Sequence, residues 1–225
     1  MFINKVSLYS NRLRETKDFY TETLGLELLG SEESSFRIKV GESVLEFIES
    51  KQKIEPFYHF AFNIPDNVFN EAKEWTRSRV NLNEDEGDDE AHFEFLNSRA
   101  FYFNDPSGNI AEFIARRNNQ SPAKEFSVDS IMNISEINLT VKDVKSAANQ
   151  LVKFGIPVRE NESVEENSLN FMGEAEDAAF LLLGPEGRRW IFSEKYSEVH
   201  PVSIQVDNQK LIKLDNGELK LEGTE

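Results

Sequence analysis

The chain has 225 residues, 39% hydrophobic and 11% aromatic with 18 Phe, so it can bury a core as one large or two small domains and is too apolar for a disordered chain. Its formal charge of −16 argues against nucleic acid and anionic membrane surfaces, whose phosphates would repel it, and the absence of cysteine excludes a disulfide framework and a thiol nucleophile. No apolar run reaches the ~18 residues of a membrane span, and the N-terminus reads as neither a signal nor a transit peptide, so a soluble cytoplasmic protein is expected.

In chain order, residues 2–9 read as a strand and 12–24 as an amphipathic helix with Leu13, Phe19, Tyr20 and Leu24 apolar and Gly25 as its C-cap. Residues 26–29, 36–40 and 44–48 follow as three short strands, which gives the order βαβββ. Residues 57–64 restart it: a strand, a helix over 68–79, an acidic stretch, strands near 92–96 and 101–103, then 110–115. Residues 118–130 read as a linker. A third copy runs as a strand over 134–141, a helix over 144–154 ended by Gly155, and strands over 156–159, 168–172, 179–183 and 190–193. There the turn Gly184-Pro185-Glu186-Gly187 takes the place of Asp105-Pro106-Ser107-Gly108. The tail reads as strands over 202–206, 210–214 and 218–221, with an Asp215-Asn216-Gly217 hairpin turn and no fourth helix.

Two stretches carry the functional signal. Along 57–64, His59, Ala61 and Asn63 share one face and Tyr58, Phe60 and Phe62 the other. The hairpin over 101–113 turns at Asp105-Pro106-Ser107-Gly108-Asn109, and its returning strand sets Ile110, Glu112 and Ile114 against Ala111 and Phe113. A His and a Glu placed mid-strand among large apolar residues need partners, which a concave site supplies. The same alternation puts Lys5, Ser7 and Tyr9 on one face of the first strand, and Glu136, Asn138 and Thr140 on one face of the third copy's. Each module thus offers a polar row to a small-molecule cavity.

The segment Phe19-Tyr20-Thr21-Glu22-Thr23-Leu24-Gly25-Leu26-Glu27-Leu28, the His59 strand and Asp105-Pro106-Ser107-Gly108-Asn109 followed by Glu112 resemble the vicinal oxygen chelate superfamily of glyoxalases, extradiol dioxygenases and bleomycin-binding proteins. The resemblance implies an α+β fold of βαβββ modules paired into a curved mixed sheet around a cavity. Residues 1–117 would form a two-module domain carrying the site, 118–130 the linker, and 131–225 a third module plus C-terminal strands. It also implies metal ligands on the first and last strands of two modules. Position by position these fall on His59, Glu112 and Glu46, with Lys5 at the fourth place, and with Ser7 and Asn63 lining the pocket.

Two functions stay open beside a regulatory or scaffold role with a vestigial cavity. In one, His59, Glu112 and Glu46 hold Fe, Mn, Ni or Zn, and a substrate with vicinal oxygens chelates it, Glu46 or Glu112 acting as base. In the other, Lys5 pairs with Glu46 and Glu112 in the metal's place, and the protein binds a small molecule without metal, as a resistance protein does. In the third module Glu136 stands where His59 does and Ile191 where Glu112 does, which leaves one carboxylate without a partner. The third module's sheet edge is expected to be covered by the C-terminal strands or by a second copy in a homodimer. The acidic run over 81–90 fails the calcium-loop pattern, with Glu86 at the glycine position. His92 is expected at the surface or behind the site, His200 in a turn, and the pairs Arg116-Arg117 and Arg188-Arg189 in surface ion pairs.

Overall fold

The computed structural model describes residues 1–51, 55–117, 122–215 and 217–223. The first module is β1 (Ile3–Ser10), α1 (Leu13–Asp18) continued by a π-helical turn (Phe19–Thr23), β2 (Leu28–Glu32), β3 (Ser35–Val40) and β4 (Ser43–Glu49). Gly25 follows the helix with φ +73°, as a C-terminal cap requires. The second is β5 (His59–Ile64), α2 (Phe69–Arg77), β6 (Ala91–Phe93), β7 (Ser98–Asn104) and β8 (Ile110–Arg116). The third is β9 (Asn133–Val141), α3 (Val144–Lys153), β10 (Asn170–Met172) and β11 (Phe180–Pro185), and the tail is β12 (Val202–Val206), β13 (Lys210–Asp215) and β14 (Glu218–Gly223). Asp143 caps α3 by accepting from the Ser146 amide. Part of the expected linker, 118–121, and Asn216 of the expected hairpin turn lie outside the described residues.

These strands form two curved, mixed seven-stranded sheets, in the orders β14-β13-β12-β1-β4-β3-β2 and β10-β11-β9-β5-β8-β7-β6. The pairing corrects the expected arrangement. The first module pairs with the tail, through antiparallel β1 and β12, and the second pairs with the third, through antiparallel β5 and β9. The first two modules therefore share no sheet, and the C-terminal strands extend the first module's sheet rather than covering the third's. The third module also ends earlier than its sequence suggests. In each of the three modules the first and last strands pair in parallel (β1 with β4, β5 with β8, β9 with β11), so β11 is its last strand. Both edges of β11 are taken, by β9 and β10, and 190–193 forms no strand. Of the expected strand over 156–159, only a bridge from Val158 to Met172 is present.

One face of each sheet packs with the helices into a single core, with Leu8, Phe47, Phe60, Phe62, Phe113 and Leu139 from the strands and Tyr20, Phe69 and Leu151 from the helices. Each such side chain contributes about 1.5–3 kcal/mol on burial. The opposite faces differ. In β4 buried and half-exposed residues alternate, whereas every residue of β5 and β8 is buried. The second sheet's outer face is covered by segment 186–199, whose Trp190 and Phe192 join Ala61, Tyr102, Ile110 and Leu182 in a second apolar cluster. Among the described residues no helix is long and apolar enough to cross a membrane.

Asp105 ties the first two modules together. Its carboxylate accepts hydrogen bonds from the Tyr20 hydroxyl at 2.9 Å, the Asn109 amide at 2.9 Å and the Asn109 side chain at 2.7 Å. Asp105→Ala would orphan three buried donors, each costing about 1–3 kcal/mol, so a loss of about 3 kcal/mol or more is expected in urea unfolding. A loss below about 1 kcal/mol would mean the turn relaxes around the gap.

Candidate functional site

Strand register builds the site. Ala61 lies opposite Glu112 of β8 on one side and opposite Glu136 of β9 on the other, with His59 two residues along on the same face. The methyl of Ala61 leaves open the space over which the three longer side chains meet. One ligand atom from each of His59, Glu112 and Glu136 lies within 4.8 Å of the other two, and the three residues are 4%, 1% and 4% exposed. His59 Nδ1 donates to the Ile110 carbonyl at 3.1 Å, which leaves the Nε2 lone pair facing Glu112 Oε2 at 3.2 Å. The His59 amide is held by Asn138 Oδ1 at 3.1 Å. Glu112 Oε1 is buried without a hydrogen-bond partner.

The electrostatics agree with this tautomer. Burial pushes Glu112 up to about 8, with the Arg116 guanidinium and the Tyr102 hydroxyl pulling the other way. Burial also pushes His59 down to about 4, against the Glu136 charge and the Ile110 carbonyl. At neutral pH a protonated Glu112 thus donates to a neutral imidazole. Glu136 is raised by burial and by the Glu112 charge, while Arg116 opposes both. Arg116 bonds to Glu136 through Nη2, donates to Ser135 Oγ at 3.2 Å and lies over the Phe180 ring at 5.2 Å. It is 5% exposed, not the surface residue its sequence setting suggests.

The residues singled out in the sequence divide between the sheets. His59 and Glu112 come together, joined by Glu136. Lys5, Glu46 and Ser7 meet in the other sheet, where Glu46 Oε2 takes Lys5 Nζ at 2.8 Å and Ser7 Oγ at 2.7 Å. Burial pushes Glu46 up, but those two hydrogen bonds outweigh it and leave its carboxyl below the usual range. By register, Ser7 stands opposite Glu46 and Ser203 as Ala61 stands opposite Glu112 and Glu136. The first sheet's counterpart of the cluster is therefore Lys5, Glu46 and Ser203, a single carboxylate already neutralised by an ammonium. Lys5 does not approach Glu112 as a stand-in cation.

Asn63 points its amide at Asn133 Oδ1 (2.7 Å) and the Ala178 carbonyl (3.0 Å), bracing β5 against its neighbours. The third module's counterpart of Glu112, expected at Ile191, falls on Leu182, which faces Asn138 as Glu112 faces Ala61, while Ile191 is 39% exposed. His92 is an exposed residue beside Glu90 at 3.3 Å. From sequence alone Glu136 stands unpartnered. Its signal was a carboxylate in mid-strand between Ile134 and Leu139, and its partners were out of view until β9 was paired with β5.

The cluster's outer side is closed by segment 186–199. The Trp190 ring lies 4.8 Å from the His59 ring, and Phe192 stacks on Tyr102 at 4.8 Å with a 15° interplanar angle.

Comparison with known proteins places this geometry in context. The family model of the Glyoxalase/Bleomycin resistance protein/Dioxygenase superfamily matches residues 2–113, and a model of toxoflavin-degrading enzymes matches residues 134–188. Among curated proteins none matches. A Bacillus subtilis protein provisionally assigned as a dioxygenase covers 100% of this chain and 85% of its own at 14% identity and a TM-score of 0.62. A lactoylglutathione lyase from Agrobacterium tumefaciens covers 50% of this chain and 92% of its own at 22% identity, TM-score 0.41. An integron cassette protein from a harbour sewage metagenome covers 50% and 97% at 23% identity, TM-score 0.44. The chain belongs to the glyoxalase/bleomycin resistance protein/dioxygenase superfamily.

Proposed function

We propose that the protein is a divalent-metal-dependent enzyme of the glyoxalase or dioxygenase type, acting on a small molecule with two vicinal oxygens. The observation that carries this reading is the convergence of His59, Glu112 and Glu136 within 4.8 Å, with Glu112 Oε1 buried and unpartnered. The donor set fits a metal: an imidazole nitrogen whose other nitrogen is fixed by a carbonyl, and two carboxylates. Fe, Mn, Ni and Zn are compatible with it, and its oxygen-rich character favours Mn(II) or Fe(II). When bound, such an ion would polarise a chelating substrate as a Lewis acid. The protein's part is to hold His59 in its tautomer through Ile110, to anchor Glu136 through Arg116, and to exclude water with Trp190 and Phe192. Glu112, raised to about 8, exchanges its proton near neutral pH, as a group serving in acid–base work should.

Metal analysis of protein purified without chelator or nickel resin is expected to find close to one equivalent. Its absence, with no uptake on titration, would favour the second reading, a metal-free binder. What supports that reading is that Arg116 already neutralises Glu136 and the proton of Glu112 satisfies His59.

The pH dependence has a definite sign. A metal must displace the Glu112 proton, whereas His59 is neutral above about 4. Affinity is expected to climb about tenfold per unit from pH 5.5 and level off above about 8, with a proton released to buffer in calorimetry. A flat profile over that range would mean that Glu112 is not a ligand.

A further inference from the structure

Segment 186–199 does more than cover the cluster. After β11 the chain turns at Gly187 (φ +81°) and crosses the outer face of the second sheet. Its backbone is pinned. Arg188 and Ser197 are linked by Arg188 N to Ser197 Oγ at 2.9 Å and Ser197 N to the Arg188 carbonyl at 2.7 Å. The Trp190 amide bonds the Lys195 carbonyl at 2.9 Å, and the Asn83 side chain donates to the Phe192 carbonyl at 2.9 Å.

One side chain on this pinned segment is left unsatisfied. The Arg188 guanidinium lies over the Trp190 ring at 4.1 Å, and that ring in turn lies 4.8 Å from His59. Its Nη1 donates to the Arg189 carbonyl at 3.0 Å, while Nε and Nη2 are buried with no hydrogen-bond partner. Among the described residues no carboxylate pairs with it. The more deeply buried arginines, Arg116 and Arg159, hold Glu136 and Glu162. The Arg188 charge reaches the cluster, where it bears on His59, and Tyr102 in turn bears on Arg188. A half-buried guanidinium with two orphaned donors is costly unless an anion satisfies them. Neutral ligand oxygens would repay less, since hydrogen bonds between charged partners are about twice as strong.

We propose that Arg188 is the binding residue for a negatively charged ligand: the small molecule that occupies the His59–Glu112–Glu136 centre carries an anionic oxygen, as a carboxylate, enolate or phenolate, which Arg188 takes through Nε and Nη2. This rests on the metal-enzyme reading for the chelating half of the ligand, and adds to it the sign of the ligand's charge. The guanidinium's fork suits a planar two-oxygen anion better than an ammonium would.

Mandelate and mandelamide test it, being matched vicinal-oxygen chelators that differ by one charge. Each is titrated into Trp75→Phe protein, with and without Mn(II), following Trp190 fluorescence and calorimetric heat. Mandelate is expected to bind at least about tenfold more tightly than mandelamide, the advantage of one charge-assisted contact. Arg188→Gln should cut that preference about tenfold with and without Mn(II), Arg188→Lys should restore part of it, and all three proteins should still take up Mn(II). A preference undiminished in Arg188→Gln overturns the proposal. So does Mn(II) uptake with no preference between the two compounds, or with no mandelate binding, and in both cases the metal reading stands. If Mn(II) fails to bind while mandelate still binds through Arg188, the metal reading falls and the anion site stands.

Discussion

His59→Ala is expected to lower divalent-metal affinity by at least about 100-fold, since changes in the supporting shell alone cost 10–100-fold. The imidazole is the cluster's single nitrogen donor, and its Nε2 is already aimed at Glu112 by the Nδ1 bond to Ile110. Alanine would leave two buried carboxyl groups, of which Glu136 is paired with Arg116. Two controls sharpen the result. His92→Ala removes an exposed imidazole beside Glu90 and should leave affinity unchanged. Lys5→His places an imidazole beside Glu46 in the other sheet, so it too should leave metal binding where it was. Titration of Mn(II) by calorimetry reads all three, and unchanged affinity in His59→Ala would remove the cluster from consideration as the metal centre.

The second large effect concerns stability. Gly41 sits in the β3–β4 turn at φ +56°, and a Cβ there would lie 2.0 Å from the Met132 carbonyl oxygen and 2.4 Å from that of Ile131. Both obstacles are backbone, and the same crossing carries the Glu42 amide bond to the Met132 carbonyl at 2.8 Å. Gly41→Ala must therefore adopt a left-handed conformation and push apart the segment that leads into β9. A loss of about 4 kcal/mol or more is expected in urea unfolding. Gly25→Ala isolates the conformational part, because φ is +73° there with nothing within 4 Å of the added carbon. It should cost only about 1–2 kcal/mol. Equal losses in the two variants would show that the crossing yields freely.

Local features were legible from sequence because they depend on neighbours along the chain. The alternation of Lys5, Ser7 and Tyr9 against Val6 and Leu8, the cap at Gly25 and the turn at Asp105-Pro106-Ser107-Gly108 all follow from spacing and backbone chemistry. Which module pairs with which was not legible. The first strands β1, β5 and β9 carry the same polar and apolar rows, and nothing within β5 states that its free edge meets β9 rather than β1. That one choice decides whether His59 finds Lys5 or Glu136. The place of Arg116 and Arg188 was hidden for a related reason. A basic pair in an acidic chain reads as surface until a fully buried strand, β8, is found to end in one and the covering segment to begin with the other.

The nested pairing of modules also bears on how the chain folds. The sheet that carries the cluster uses strands from residues 59–185, so its pairings can form before the tail joins. The other sheet cannot be finished until β12 reaches β1, a contact between Val6 and Ile204 that spans nearly the whole chain. Closing so long a loop is slow, and until it happens the edge of β1 presents unpaired amides and carbonyls. Refolding should therefore show His59 sequestered early and the β1–β12 amides protected late in hydrogen exchange, with aggregation competing during the interval between them.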